Sequence, residues 1–159
     1  MRTVPPDLSW PAHAPPPSTS GWSWTPRGLA ELSAIRRELR TVLTMQSTPG
    51  DQLEQQDAQE RLVLVFDEMS SNALRHGAPP VTTAVNRTAG GWLLVVTDSA
   101  TATPPRPDPG RDPAKGGLGL RMIADLASAH GWYPGDGRKS VWAPMSAGGG
   151  AVSRTARGR

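Results

Sequence analysis

Three short stretches of this chain carry residue types that can do chemistry. In LVFDEMSSNALRHG an apolar run gives way to Glu68, Asn72 and His76 at four-residue steps, with Arg75 beside the last. Such spacing stacks side chains on neighbouring turns of one helical face. It would line up a carboxylate able to take a proton, an amide oxygen able to hold a metal ion, and a cation. An unpaired polar group costs about 1–3 kcal/mol to bury, so the row faces solvent, is paired internally or meets a ligand. In the second stretch, GGLGL, Gly116, Gly117 and Gly119 precede a helical pattern, with Lys115 alongside. Backbone can approach a ligand closely there, and a helix start presents unpaired N–H groups to an anion. The third is Asp98, which closes the apolar run WLLVVTD, where a carboxylate can accept from an exocyclic amine. Singly, these are a solvated helix face, a flexible turn and the first residue of a turn. In one order, on the element types each needs, they add up to a nucleotide site.

The elements that must position them follow from periodicity. GWSWTP alternates Trp22 and Trp24 as a short, half-buried first or edge strand, and Thr25-Pro26 supplies a cap and first residue for a helix. Leu29, Leu32, Ile35, Leu39, Val42 and Leu43 make its apolar stripe, with Arg36, Arg37 and Arg40 on a solvated face. STPGD breaks the chain, and a second helix runs from about Leu53 to Gly77, where glycine can take the left-handed conformation that ends a helix. VTTAVNR and WLLVVTD, joined by TAGG, read as an antiparallel hairpin. A proline-rich loop follows, then a helix from GGLGL to Gly131 and a last strand in KSVWAPM. This order predicts an α/β fold: a two-layer α/β sandwich with helices packed on one face of a mixed, mainly antiparallel sheet.

Composition bounds the rest. The 17 prolines and 17 glycines are uneven. Residues 1–20 and 146–159 lack apolar periodicity and are expected as disordered tails around one domain at 21–145. From Arg27 to Ala143, thirteen Lys and Arg balance thirteen Asp and Glu, so the net +3 resides in Arg154, Arg157 and Arg159. A neutral domain with a short basic tail is not a nucleic-acid surface. The absence of cysteine excludes disulfides and thiolate metal sites, and three scattered histidines make no zinc site. No apolar stretch approaches the roughly 20 residues of a membrane span, and a cytoplasmic location is expected. GDGRKS lacks the G-K-[ST] of a phosphate loop, GGLGL does not follow a strand as a dinucleotide fingerprint would, and no G-x-S-x-G elbow occurs.

Four stretches together resemble the GHKL ATP-binding (Bergerat-type) fold of sensor histidine kinases and DNA gyrase, in particular its small anti-sigma-factor serine/threonine kinase branch. DEMSSNALRHG is similar to that family's N box, VVTDSA to its first glycine box, GGLGLRMI to its second and GRKSVWA to its closing strand. The resemblance spans about Trp24 to Pro144. It implies ATP and Mg²⁺ as cofactors, with Asn72 holding the ion and Glu68 as general base. Asp98 would accept from the adenine amino group, and Gly117, Leu118 and Gly119 would give N–H groups to phosphates. Arg75 would lie near the phosphates and Ser140 near the base. After Asp98 the family's D-x-G-x-G reads D-S-A-T-A. The activity implied is phosphorylation of an antagonist protein on serine, with a sigma factor and that antagonist as partners and a homodimer as the assembly. The alternative is a non-catalytic nucleotide- or partner-binding module of the same fold.

Overall fold

The computed structural model describes residues 10–101, 123 and 125–148. The chain runs through β1 (Thr19–Trp24), a 3-10 turn (Leu29–Glu31), α1 (Leu32–Met45), α2 (Gln52–His76), β2 (Thr82–Arg87), β3 (Gly91–Asp98), β4 (Gly131–Gly135) and β5 (Arg138–Ser146). The strands form one sheet in the order β1-β2-β3-β5-β4, and all neighbours are antiparallel. Among the described residues, parallel pairing is confined to an isolated bridge between Ala12 and Trp132. The expected two-layer sandwich is what forms. Val85, Leu94 and Ala143 stand in register across β2, β3 and β5 and are fully buried. Leu32, Ile35, Leu39 and Leu43 of α1 and Leu62, Phe66, Met69 and Ala73 of α2 pack on that face.

The helix termini show what the sequence pattern left open. The Asp51 carboxylate accepts from the N–H groups of Leu53 (3.0 Å) and Glu54 (3.3 Å), satisfying two of the orphan donors that open α2. At the other end Gly77 is extended (φ −84°, ψ −171°), so the expected left-handed stop is not used. α1 does not start at Thr25-Pro26 either. Gly28 is extended, which the lack of a side chain makes easy, and helical structure begins only with the turn at Leu29. Arg36 pairs with Asp67, and Arg40 with Glu60 at 3.5 Å, so part of the arginine face bridges α1 and α2. Such partly exposed pairs orient the helices more than they stabilise them.

Two corrections concern the edges of the sheet. Gly131 is not a helix stop but the first residue of β4, which pairs with β5 through a tight hairpin. At its tip Asp136 (φ 54°) and Gly137 (φ 73°) both take the positive φ that a two-residue type I′ turn needs. The second correction is that the segment expected as tail is packed from residue 10 onward. Trp10 is 5 % exposed, with its ring edge-on to His130 at 4.7 Å. Pro11 O accepts from Trp132 N (3.0 Å), His13 N donates to Trp132 O (3.1 Å), and His13 O accepts from Trp142 Nε1 (2.8 Å).

These contacts make residues 10–18 a strap. It is hooked on β4 at one edge of the sheet and must reach β1 at the other. From β4 to β1 there are four strand spacings, about 19 Å in all. The six steps from His13 to Thr19 cover about 19 Å in the polyproline conformation that Pro15, Pro16 and Pro17 favour. The Trp142 indole that donates to His13 O alternates with Val141 and Ala143, so at His13 the strap lies on the face turned away from α1 and α2. Leu93 and Trp142, whose register puts them on that face, are only 1 % and 6 % exposed.

Inside the core the hydroxyls of Ser70 and Thr83 are buried with no hydrogen-bond partner. A hydroxyl in that state costs about 1–3 kcal/mol in protein mutational series. Thr83→Val keeps the shape and removes the penalty. It is expected to stabilise the chain by about 1 kcal/mol, a rise of roughly 2–4 °C in thermal unfolding. A loss of stability would show that the hydroxyl is solvated by an internal water.

Candidate functional site

α2 presents the first part of the site. Glu68 is half-buried, and its carboxyl is raised above the ordinary glutamate value of 4.5, first by desolvation, then by the neighbouring Asp67 charge, with Arg75 pulling the other way. One turn on, Asn72 is also half-buried, and its amide makes no hydrogen bond to any described residue. Arg75 is exposed in the last turn of the helix. A carboxylate of raised proton affinity beside an uncommitted amide oxygen is suited to taking a proton next to a bound cation.

The second part is Asp98, the last residue of β3 and 1 % exposed. Its Oδ1 accepts from the N–H of Ala100 (2.7 Å) and of Ala78 (3.4 Å). Its Oδ2 lies 3.5 Å from the ammonium of Lys139, which is itself buried. Gly77 makes this possible. A Cβ there would sit 2.6 Å from Asp98 Cγ and 2.7 Å from Oδ2, so any other residue would push the carboxylate out. Ser99 N also donates to Ala78 O at 2.8 Å. The end of α2 is thereby tied to the end of β3. At about 1.5 Å per residue, Asn72 lies about 7 Å and Glu68 about 13 Å back along the helix from Gly77. One helix thus carries a proton acceptor, an amide and a cation, and ends on a fixed carboxylate.

The lost glycines of the D-x-G-x-G pattern leave no strain in the described part of the turn. Ala100 closes it through its N–H to Asp98, and among the described residues the only non-glycine with positive φ is Asp136.

Ser140 is not brought to this place. β3 and β5 pair Asp98 with Lys139 and Thr97 with Ser140, and side chains alternate between faces. Ser140 therefore lies on the other face, its Oγ 3.3 Å from Thr97 Oγ1. The residue beside Asp98 is Lys139, which the sequence reading missed together with the role of Gly77. Gly117, Leu118 and Gly119 lie outside the described residues, as does Lys115. Among the described residues no three His, Cys, Asp or Glu cluster to hold a metal ion. A cation here would rest on the Asn72 oxygen together with oxygens of a ligand, the mode in which Mg²⁺ binds beside phosphates.

The family model of the histidine kinase-like ATPase domain matches residues 25–144, about three-quarters of the chain. The chain belongs to this family. Histidine kinase-like ATPase domains bind ATP, typically with Mg²⁺, and the matched span contains Glu68, Asn72, Asp98 and Lys139. It leaves out β1 and the strap of residues 10–18. No curated protein matches the sequence. No helix among the described residues is long and apolar enough to cross a membrane.

The Glu68 shift makes a stability prediction with a definite sign. A carboxyl whose folded value is raised contributes stability below its unfolded value, and loses it as pH rises through the folded value. Glu68→Gln abolishes that loss. The variant should match the parent in thermal unfolding below pH 4.5 and unfold at a higher temperature at pH 7. A variant less stable at neutral pH would mean that the ionised carboxylate is paired rather than desolvated.

Proposed function

We propose that this ATPase domain is a serine/threonine protein kinase of the anti-sigma-factor type, which phosphorylates an antagonist protein. The observation that carries it is the Glu68–Asn72 pair on α2: a half-buried carboxylate of raised proton affinity one turn from an amide without a described partner. Asn72 would hold Mg²⁺ and thereby supply charge neutralisation at the phosphates. Arg75 stands on the same helix end for a phosphate, and Gly117, Leu118 and Gly119 would cradle the chain of phosphates. Asp98 would accept from the adenine amino group. Glu68 takes the proton of the attacking serine hydroxyl as its oxygen bonds to the γ-phosphorus and the bond to ADP breaks. The partners proposed are the serine-bearing antagonist and a sigma factor, acting in the cytoplasm on a homodimer. The balanced charge of the domain gives nucleic acid no part.

A second reading, a nucleotide- or partner-binding module without transfer, is favoured by the D-S-A-T-A sequence after Asp98. Two measurements separate the readings. ATP with Mg²⁺ at 100 times its dissociation constant should stabilise the fold by about 2.7 kcal/mol, roughly 5–10 °C in melting temperature for a chain of this size. Transfer of labelled γ-phosphate to a serine-bearing antagonist then distinguishes kinase from module. No shift at millimolar ATP would refute both nucleotide readings.

A further inference from the structure

We propose that Arg36 of α1 is a positioning residue for Glu68: by holding the Asp67 carboxylate against α1, it sets how much of that neighbouring negative charge the proton acceptor meets. The inference rests on the reading of Glu68 as the base and adds to it a residue from another helix, outside the stretch that carries Glu68 and Asn72.

Asp67 and Glu68 are consecutive on α2, so their side chains leave the helix about 100° apart at nearly the same height. Neighbours of this kind do not face each other, and the direction Asp67 takes is decided by its partner. Arg36 Nη1 meets Asp67 Oδ1 at 2.5 Å, and the two side chains are 34 % and 27 % exposed. The pair is drawn partly out of water, where a charge acts on its surroundings more strongly than at an open surface. Asp67 raises the Glu68 carboxyl, second to burial, while Arg75 lowers it.

The other charges around α2 are placed differently. Of the charged residues in α1, Arg36 alone is half-buried; Arg37, Glu38 and Arg40 are exposed. Glu38 accepts from Trp24, and Arg40 is held by Glu60, eight residues or about 12 Å before Glu68. β3 and β5, on which α2 packs, bring Asp98 and Lys139, which pair with each other at 3.5 Å beside Gly77, about 13 Å beyond Glu68. Arg138 stands on the opposite face of the sheet from Lys139. Arg36 is therefore the cation through which α1 bears on the base. Its loss removes a positive charge and frees Asp67 to turn towards Glu68, and both changes favour the protonated carboxyl. Loss of the Asp67 charge favours the ionised one.

The test follows the Glu68 side-chain carboxyl through pH by carbon NMR on the full chain, so it needs neither nucleotide nor transfer. Relative to the parent, the titration midpoint should move up in Arg36→Gln and down in Asp67→Asn, and Arg36→Lys should hold it near the parent position. The rise caused by Arg36→Gln should be smaller in the Asp67→Asn background, the coupling that a double-mutant cycle reads. Arg40→Gln cuts the other bridge between the helices and should leave the midpoint in place, so a mere loosening of α1 against α2 is told apart. Partly exposed pairs contribute little to stability, and all these variants should fold. An unmoved midpoint in Arg36→Gln, or an equal move in Arg40→Gln, would overturn the proposal. In a transfer assay the acid limb should follow the midpoint from variant to variant. Midpoints that move as expected while the limb stays fixed would leave the coupling of Arg36 to Glu68 standing and strike the reading of Glu68 as the base.

Discussion

Glu68→Ala is expected to slow phosphoryl transfer by about 10²–10⁴-fold, the usual worth of a positioned base, while leaving ATP affinity within about twofold. Asn72→Ala, one turn away, should instead weaken binding that depends on Mg²⁺, because it deletes an oxygen ligand and leaves the proton acceptor intact. The two residues share a helix and a degree of burial, so a general disturbance of α2 would affect both variants alike. The pH profile supplies a further check. Burial and Asp67 raise the Glu68 carboxyl, so transfer should fall with acidity from a point above the ordinary value of 4.5. In Glu68→Ala that limb should vanish. Equal loss of nucleotide binding in both variants would mean that Glu68 is a binding residue and the base lies elsewhere.

The second large effect lies far from the nucleotide. Trp10→Ala should cost about 3–5 kcal/mol, the range for truncating a buried aromatic, out of a total near 5–15 kcal/mol for a domain. Trp10 is 5 % exposed and belongs to the core shared with α1 and α2. Chemical denaturation should show the loss as a lower midpoint with the transition still cooperative. Were the midpoint unchanged, Trp10 would not be buried in solution and the strap would be detached. A disordered tail over residues 1–20 predicts no effect at all, so the experiment decides between the two directly.

Much of the site was readable from the sequence because it depends on local spacing. Glu68 and Asn72 share a helical face by arithmetic alone, and Asp98 ends a strand because an apolar run stops there. What escaped depends on register. A shift of one residue in β5 would exchange the faces of Ser140 and Lys139, and nothing within GRKSVWA fixes which of them meets Asp98. Gly77 looked like a helix stop because the crowding that demands glycine comes from a carboxylate in another element. β4 was hidden because GWYPG carries two glycines and a proline, residues that strands disfavour. Its one local signal is the Asp136-Gly137 pair between the two alternating runs. Trp10 was masked by composition: one anchoring aromatic in a proline-rich stretch does not alter the average that marks the stretch as tail.

The strap also dictates an order of events during synthesis. Trp10 meets His130, and His13 meets Trp132 and Trp142, so the anchor is made about 120 residues before the hairpin region that holds it. At roughly 5–20 residues per second, that leaves the indole without its His130 contact for about 6–24 s on a nascent chain. α1, α2 and the β2–β3 hairpin can associate in that interval, because all of them are synthesised before the β4–β5 hairpin. The strap must close last over a sheet already assembled. Until it does so, Leu93 and the newly made Trp142 leave an apolar surface on that face, of the kind a ribosome-associated chaperone would hold.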